Sequence, residues 1–319
     1  MLAAAARLSL RGRPLSRPNP AVGCTIARDG IVVGRGWTQA GGRPHAEAVA
    51  LEQAGERARG ATLYATLEPC AHASGRGPSC SSLITQSGLA RVVVGTLDPD
   101  PRTSGAGVAG IADAGIAVET LDCPASRDSL AGYLARQRLG RPHVTLKLAM
   151  SLDGCIATAD GESRWITGDA ARAHVHSRRA LADAILVGGG TWRADEPQLD
   201  VRLAGLEARS PQRVVLTGGE VPEGVIAIHA PEDIAALDGV LYLYVEGGAQ
   251  TAASFLAADL VDRLEIYRAP ILLGGGTPAL GDIGLASLAD AHGRWLLAER
   301  RQFGRDGFEA FTRMREEPA

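Results

Sequence analysis

An imidazole at His45, a carboxylate at Glu47 and thiols at Cys70 and Cys80 stand in an order that suits hydrolysis at a metal. Histidine and cysteine are donor types that zinc prefers, and three protein ligands leave its fourth position for water. Zinc lowers the pKa of that water to about 7, so hydroxide forms near neutral pH. A carboxylate beside the metal can take a proton from the water and return it to a leaving amine, which is the role open to Glu47. A structural zinc site would want a fourth protein ligand, for which His72 or Cys24 is available, and would gain nothing from Glu47. The set points to loss of an amino group from a heterocycle.

These side chains need elements that bring them together. Residues 2–11 have helical composition, and Pro18-Asn19-Pro20-Ala21-Val22-Gly23 leads into a hairpin of Val22–Ala27 and Ile31–Trp37 turning at Asp29-Gly30. Ala46, Val49, Ala50 and Ala54 have helical spacing, so a helix from near His45 to about Gln53 carries His45 and Glu47 in its first turn. Thr62–Leu67 reads as a strand ending at Glu68-Pro69-Cys70, Cys80–Gln86 as a helix, and Arg91–Thr96 and Ile116–Leu121 as strands. Alternating strands and helices make the first half an α/β layered domain. In that setting His-x-Glu followed by Pro-Cys and a second cysteine is the signature of zinc deaminases. Gly105-Ala106-Gly107-Val108-Ala109-Gly110 matches the dinucleotide-binding GxGxxG, but Asp98-Pro99-Asp100-Pro101 separates it from the preceding strand, so it reads as a turn entering a helix.

Residues 122–142, with Pro124, Gly140 and Pro142 around an arginine-rich helix, read as the connection between domains 1–140 and 141–319. The second opens with a strand, His143–Ala149, carrying Lys147, the only lysine in the chain. An ammonium is a compact point charge that a planar guanidinium does not replace where space is tight. A helix over Asp169–Ala182 and a strand over Ala184–Val187 follow, and the strand runs into Gly188-Gly189-Gly190-Thr191, a loop whose backbone could approach a phosphate. Arg213–Leu216, Leu241–Val245 and Leu264–Tyr267 read as strands, with Glu246-Gly247-Gly248 before a helix Thr251–Ala258 as a second phosphate cradle, and Trp295–Phe311 completes the sheet.

Composition narrows the partners. A chain of 319 residues suggests about two domains, and a formal charge of −3 provides no general basic field for nucleic acid. The five cysteines form no paired framework, which suits a reducing, cytoplasmic compartment, and no apolar run reaches the ~20 residues that span a bilayer. Residues 1–28 hold arginines and no acids, as a transit peptide would, yet the strand that follows at once makes a first helix of the fold the better reading.

Both halves together resemble the bifunctional riboflavin-biosynthesis deaminase/reductase family over nearly the whole chain. The resemblance is carried by Pro18–Gly23, His45-Ala46-Glu47, Leu67–Cys70 with Cys80, Asp98–Pro101, Lys147–Gly154, Ser163–Thr167, Gly188–Arg202 and Glu246–Gly248. It implies a cytidine-deaminase-like α/β/α domain followed by a dihydrofolate-reductase-like α/β domain. It also implies zinc-dependent deamination of a diaminopyrimidinone ribosylamine 5′-phosphate, then NADPH-dependent reduction of the ribose to a ribityl chain. On this resemblance His45, Cys70 and Cys80 hold Zn2+, Glu47 moves the proton, and Asn19, His72 and Arg76 lie near the deaminase substrate. Ser163, Arg179, Leu199, Arg202 and Glu246 match the reductase substrate side. Ala149, Trp165, Thr191, Asp195, Gly248, Ala249, Gln250, Thr251, Ala252, Ala253 and Ser254 match the NADPH side. Lys147 and Asp195 are the catalytic candidates at the ribose, and the family implies a homo-oligomer acting on a small-molecule substrate, while the charge balance and the lack of a long apolar run argue for no nucleic-acid and no membrane partner.

The chain departs from the family pattern in places. The loop from Cys70 to Cys80 is one residue longer and lacks a threonine, Ala106 and Cys155 stand where basic residues are common, and Glu196 replaces an aspartate. The alternative reading is a nucleotide or nucleoside deaminase with an accessory second domain. The motifs around Lys147 and Glu246 speak against it, and a nucleic-acid deaminase would want a basic, aromatic-lined groove that 4% aromatic residues do not suggest.

Overall fold

The computed structural model describes residues 1–72 and 75–315, so Ala73 and Ser74 of the lengthened loop lie outside the described residues. The chain divides into two units, Met1–Arg141 and Pro142–Ala319.

The first unit contains α1 (Leu2–Ser9), β1 (Gly23–Arg28), β2 (Ile31–Trp37), α2 (Ala46–Ala54), β3 (Thr62–Ala65), α3 (Cys80–Thr85), β4 (Arg91–Val94), α4 (Ala106–Asp113), β5 (Ala117–Thr120), α5 (Pro124–Ser129) and α6 (Ala131–Leu139). Its five-stranded sheet has the order β2-β1-β3-β4-β5, antiparallel across β2, β1 and β3 and parallel from β3 to β5. Cys24, Ile26, Leu63, Val92, Val94, Ala46, Ala50, Ile84 and Ile111 are fully buried in one core, which joins the sheet to α2, α3 and α4.

Two glycines of β2 let α2 lie directly on the strand. A Cβ on Gly36 would stand 2.0 Å from the carbonyl oxygen of Ala46, and one on Gly34 2.3 Å from that of Ala50. Backbone meets backbone there, which fixes the first turn of α2 relative to β2. The helix α1 buries Leu2, Ala5, Ala6 and Ser9, and Ala5 packs so closely on Gly23 that a Cβ would come within 1.9 Å of its carbonyl oxygen.

The second unit contains β6 (His143–Met150), β7 (Cys155–Ala157), α7 (Asp169–Arg179), β8 (Ala184–Gly188), α8 (Gly189–Asp195), β9 (Gln212–Leu216), β10 (Ile226–Ile228), β11 (Tyr242–Val245), α9 (Ala249–Ala257), β12 (Arg263–Arg268), β13 (Thr277–Pro278), β14 (Trp295–Phe303) and β15 (Asp306–Arg313). Eight strands form one sheet in the order β10-β9-β8-β11-β6-β12-β15-β14, parallel from β10 to β12 and antiparallel through the terminal hairpin. Both faces are covered, as a parallel sheet requires. Leu146, Leu186, Val214 and Val245 point to one core with Ala252 and Phe255 of α9. Ile185, Val187, Val215 and Tyr244 point to the other with Ala171 and Val175 of α7.

Several expected boundaries shift. Gly189 and Gly190 open α8 at once instead of forming a free loop, and α9 begins at Ala249, two residues before the expected Thr251. The helix from Asp169 stops at Arg179, three residues short of Ala182. The short strands β7, β10 and β13 carry too few residues for an alternation to stand out.

Candidate active sites of the two domains

In the first unit the metal donors converge from three elements. His45 is the N-cap of α2, Cys70 follows β3, and Cys80 is the first residue of α3. His45 Nδ1 lies 3.3 Å from Cys80 Sγ and 3.6 Å from Cys70 Sγ, and the three donor atoms are all within 4.8 Å of one another. Zn–N of about 2.0 Å and Zn–S of about 2.3 Å at tetrahedral angles separate donors by about 3.6 Å, so the cluster fits zinc. Among the described residues neither Cys24 nor His72 belongs to it.

The electrostatics suit a cation. The hydrogen bond from Cys80 leads in bringing the Cys70 thiol down to about 4, and His45 adds to it against burial. The same contact, with burial, pushes the Cys80 thiol up. A divalent cation among these donors allows both sulfurs to ionise. Glu47, only 3% exposed, sits in the first turn of α2. Burial raises its pKa while His45 pulls the other way, an environment that suits a group which gains and loses a proton.

The remaining residues expected near the deaminase substrate gather around the loops. Asn19 packs under Gly42, where a Cβ would stand 2.4 Å from Asn19 Cγ, and Arg76 donates to the carbonyl of Gly41 at 3.1 Å. The Nδ1 atom of His72 is buried with no hydrogen-bond partner among the described residues.

In the second unit the alternation along β6 separates Val144, Leu146 and Leu148, in the α9-side core, from Thr145, Lys147 and Ala149. At the carboxyl end of the adjacent β11, Glu246 receives two bonds from Arg179 on α7, Nε to Oε1 at 2.6 Å and Nη2 to Oε2 at 3.0 Å. Lys147 Nζ stands 3.5 Å from Glu246 Oε2. Burial alone would raise the Glu246 carboxyl, but Lys147 and Arg179 together hold it down at about 2. The third nitrogen of Arg179, Nη1, donates to the Asp200 carbonyl at 3.0 Å.

Sequence reasoning did not find the second buried carboxylate beside this cluster. Glu265 of β12, wholly buried and paired in register with Lys147, takes Arg178 at 2.8 Å, Arg263 at 3.0 Å and the hydroxyl of Tyr244 at 3.0 Å. The pattern Arg263-Leu264-Glu265-Ile266-Tyr267 does place Arg263, Glu265 and Tyr267 on one face.

The expected cofactor residues are distributed unevenly. Thr191 and Gly248 approach each other, since a Cβ on Gly248 would lie 3.7 Å from Thr191 Oγ1. Thr251 wedges between Gly188 and Gly247, where added Cβ atoms would meet its side chain at 2.1 and 2.6 Å. Ala252 and Ala253 are buried, while Gly248 and Ala249 at the start of α9 are partly open and Gln250 is exposed. Gly248 caps α9 without a side-chain bond. The first turn of α9 can therefore offer backbone N–H groups to an anion, and the donor set fits the phosphates of a dinucleotide. Asp195 is paired with Arg164 at 2.7 Å, and Arg172 lies over the exposed ring of Trp165 at 4.6 Å. Ser163 is exposed, Arg202 pairs with Asp200 at 2.9 Å, and Leu199 is a core side chain, so its main chain is what it can present.

Residues 1–96 match the cytidine and deoxycytidylate deaminase zinc-binding region, and residues 142–225 and 228–306 match the RibD C-terminal domain. The riboflavin biosynthesis protein RibD of Escherichia coli is 39% identical over 91% of this chain and 92% of its own. The chain belongs to the RibD family. RibD of Mycobacterium tuberculosis is likewise 39% identical, over 91% of this chain and 89% of its own. Acinetobacter baumannii RibD superposes with a TM-score of 0.86 at 34% identity, covering 98% of both chains. The diaminohydroxyphosphoribosylaminopyrimidine deaminase/5-amino-6-(5-phosphoribosylamino)uracil reductase of Thermotoga maritima gives 0.86 at 30% identity, over 98% of this chain and 97% of its own. The RibD family thus accounts for both units: a deaminase domain joined to a reductase domain in riboflavin biosynthesis.

Proposed function

We propose that the first domain hydrolyses the 2-amino group of 2,5-diamino-6-ribosylamino-4(3H)-pyrimidinone 5′-phosphate and that the second reduces the ribosyl group of the product to ribityl with NADPH. The observation that carries this reading is the convergence of His45, Cys70 and Cys80 within 4.8 Å beside buried Glu47.

His45, Cys70 and Cys80 would hold the zinc. Zinc, when bound, supplies a water whose pKa is near 7 and hence a nucleophile at neutral pH. Glu47 would carry a proton from the attacking water to the departing amine, so that water enters and ammonia leaves. Asn19, His72 and Arg76 orient the pyrimidine and its ribosyl phosphate.

In the second domain NADPH, when bound, would be the source of the hydride that the ribosyl group gains at C1′. The first turn of α9 and Thr191 would hold its phosphates, and Ala149, Trp165 and Asp195 would flank the rest. Lys147, 3.5 Å from Glu246, orients the ribose, and with Asp195 it assists delivery of the matching proton. Arg179 gives three of its five N–H donors to Glu246 and Asp200, and with Glu246 it meets the substrate through the N–H groups left on Nη1 and Nη2. Arg202, Ser163 and the main chain of Leu199 then meet the substrate.

Free cysteines and a near-neutral charge balance support a cytoplasmic setting, a small-molecule substrate and no nucleic-acid or membrane partner, and we propose a homo-oligomer on the family pattern. No helix among the described residues is long and apolar enough to cross a membrane.

Mass spectrometry of the diaminopyrimidinone substrate incubated with zinc-loaded protein tests the proposal. Exchange of an amino group for oxygen without NADPH, then gain of two hydrogens with it, is expected. No mass change in either condition would refute it, and deamination alone would leave the second domain with another role.

A further inference from the structure

The GxGxxG sequence at Gly105–Gly110 has no cofactor role in the proposed function, yet its N–H groups from Gly105 to Ala109 are all engaged within the chain. Glu68, 2% exposed, sends its carboxylate into the N-terminus of α4. Oε1 accepts from the N–H of Gly107 at 3.0 Å and of Val108 at 3.2 Å. Oε2 accepts from Gly105 at 3.0 Å and from Asp98, in the loop before α4, at 3.2 Å. Four N–H donors thus close on one carboxylate, and three of them belong to the start of a helix, where unpaired donors and the helix dipole favour an anion. A motif that cradles phosphate elsewhere cradles here a side chain of the same chain.

The clasp holds the main chain too. A Cβ on Gly107 would stand 2.0 Å from the carbonyl oxygen of Pro69, so α4 touches the backbone of the residue just before Cys70. The N–H of Glu68 donates to the Thr96 carbonyl at 3.0 Å, and Asp98 is tied to the hydroxyl of Tyr133 at 2.7 Å. Beyond Pro69, the Cys70 sulfur accepts from the N–H of Cys80 at 3.3 Å. Pro69 is the single residue between the clasped carboxylate and the metal donor.

We propose that Glu68 is a positioning residue for the zinc centre: α4 and the Asp98 loop grip its carboxylate, and this holds Cys70 in place beside His45 and Cys80, the residues that would bind the metal with it. The inference rests on the ligand assignment made above. Outer partners that orient ligands typically change metal affinity by about 10–100-fold when they are lost.

The test is Glu68→Gln in the full chain. It keeps the shape of the side chain but turns an NH2 group toward backbone donors. Zinc affinity is measured by competition with a chromogenic chelator, and the donor set by the visible absorption of the cobalt(II)-substituted protein. Melting temperatures are taken with and without zinc, and NADPH-dependent reduction of the deaminated substrate reports on the second domain.

We expect about 10–100-fold weaker zinc binding, an altered cobalt spectrum, a smaller gap between the two melting temperatures and unchanged reduction. A cap that merely stabilised the domain would lower both melting temperatures equally and leave zinc affinity and the cobalt spectrum at wild-type values, which would overturn the proposal. If Glu68→Gln does not fold, Gly107→Ala pushes on the Pro69 carbonyl while keeping the carboxylate. Wild-type zinc affinity in that variant would overturn it equally. Wild-type protein that takes up no zinc would refute the ligand assignment, whereas wild-type uptake matched by Glu68→Gln would refute this inference alone.

Discussion

Lys147 and Glu246 face each other across adjacent parallel strands, ammonium to carboxylate at 3.5 Å, with Arg179 completing the group from α7. Each member is mostly shielded from water, so none can be removed without leaving a charge with too few partners. The cluster combines a stability element with the expected reaction surface of the second domain.

Lys147→Arg tests the need for a compact cation. A guanidinium keeps the charge but not the size or the point-like field, and we expect reduction to fall at least about 100-fold while deamination is unaffected. Steady-state rates with each half-substrate measure both.

Glu246→Gln links the cluster to pH. Folding depresses the Glu246 pKa to about 2, so the stabilisation it gives is whole above about 4.3, the ordinary glutamate value, and fades as the pH falls through about 2. The variant leaves Lys147 and Arg179 without their carboxylate, and a loss of about 3–5 kcal/mol is expected at neutral pH. Urea unfolding from pH 7 to pH 2 should show the difference from wild type closing at the acid end.

Glu47→Gln separates metal binding from proton transfer. Zinc content should match wild type, deamination should fall by about 100- to 10,000-fold, and reduction of already deaminated substrate should continue. Deamination at the wild-type rate would remove Glu47 from the role of proton carrier.

Gly36→Ala tests how α2 is seated. The added carbon would enter the space of the Ala46 carbonyl, so the first turn that carries Glu47 must move off β2. A loss of about 1–3 kcal/mol is expected in the first domain, together with slower deamination and unchanged reduction. Calorimetry and the two activity assays check it.

The residue types at His45, Glu47, Cys70 and Cys80 made the chemistry of the first domain legible, because few other uses fit that combination. Lys147 stood out because the chain has no other lysine. Glu68 was visible as a letter in Glu-Pro-Cys, but its four donors come from Asp98, Gly105, Gly107 and Val108, far along the chain. Glu265 was missed for a related reason. Alternation along a strand says which residues share a face, and only the packing of α7 reveals that this charged face is buried. The glycines at 34 and 36 gave no signal beyond permissiveness, since the helix that needs their missing side chains is defined only by the fold.

Arg178 and Arg179 are consecutive, yet they serve different carboxylates, Glu265 on β12 and Glu246 at the end of β11. Successive residues on a helix diverge by about 100°, so a single rotational setting of α7 satisfies both pairs. Turning the helix by one residue would carry both guanidinium groups away from their partners and leave each buried carboxylate with one cation, Lys147 for Glu246 and Arg263 for Glu265. The helix is therefore keyed to the sheet as a notched shaft is to its collar, and the neighbour of Arg179 fixes the angle at which Arg179 reaches Glu246.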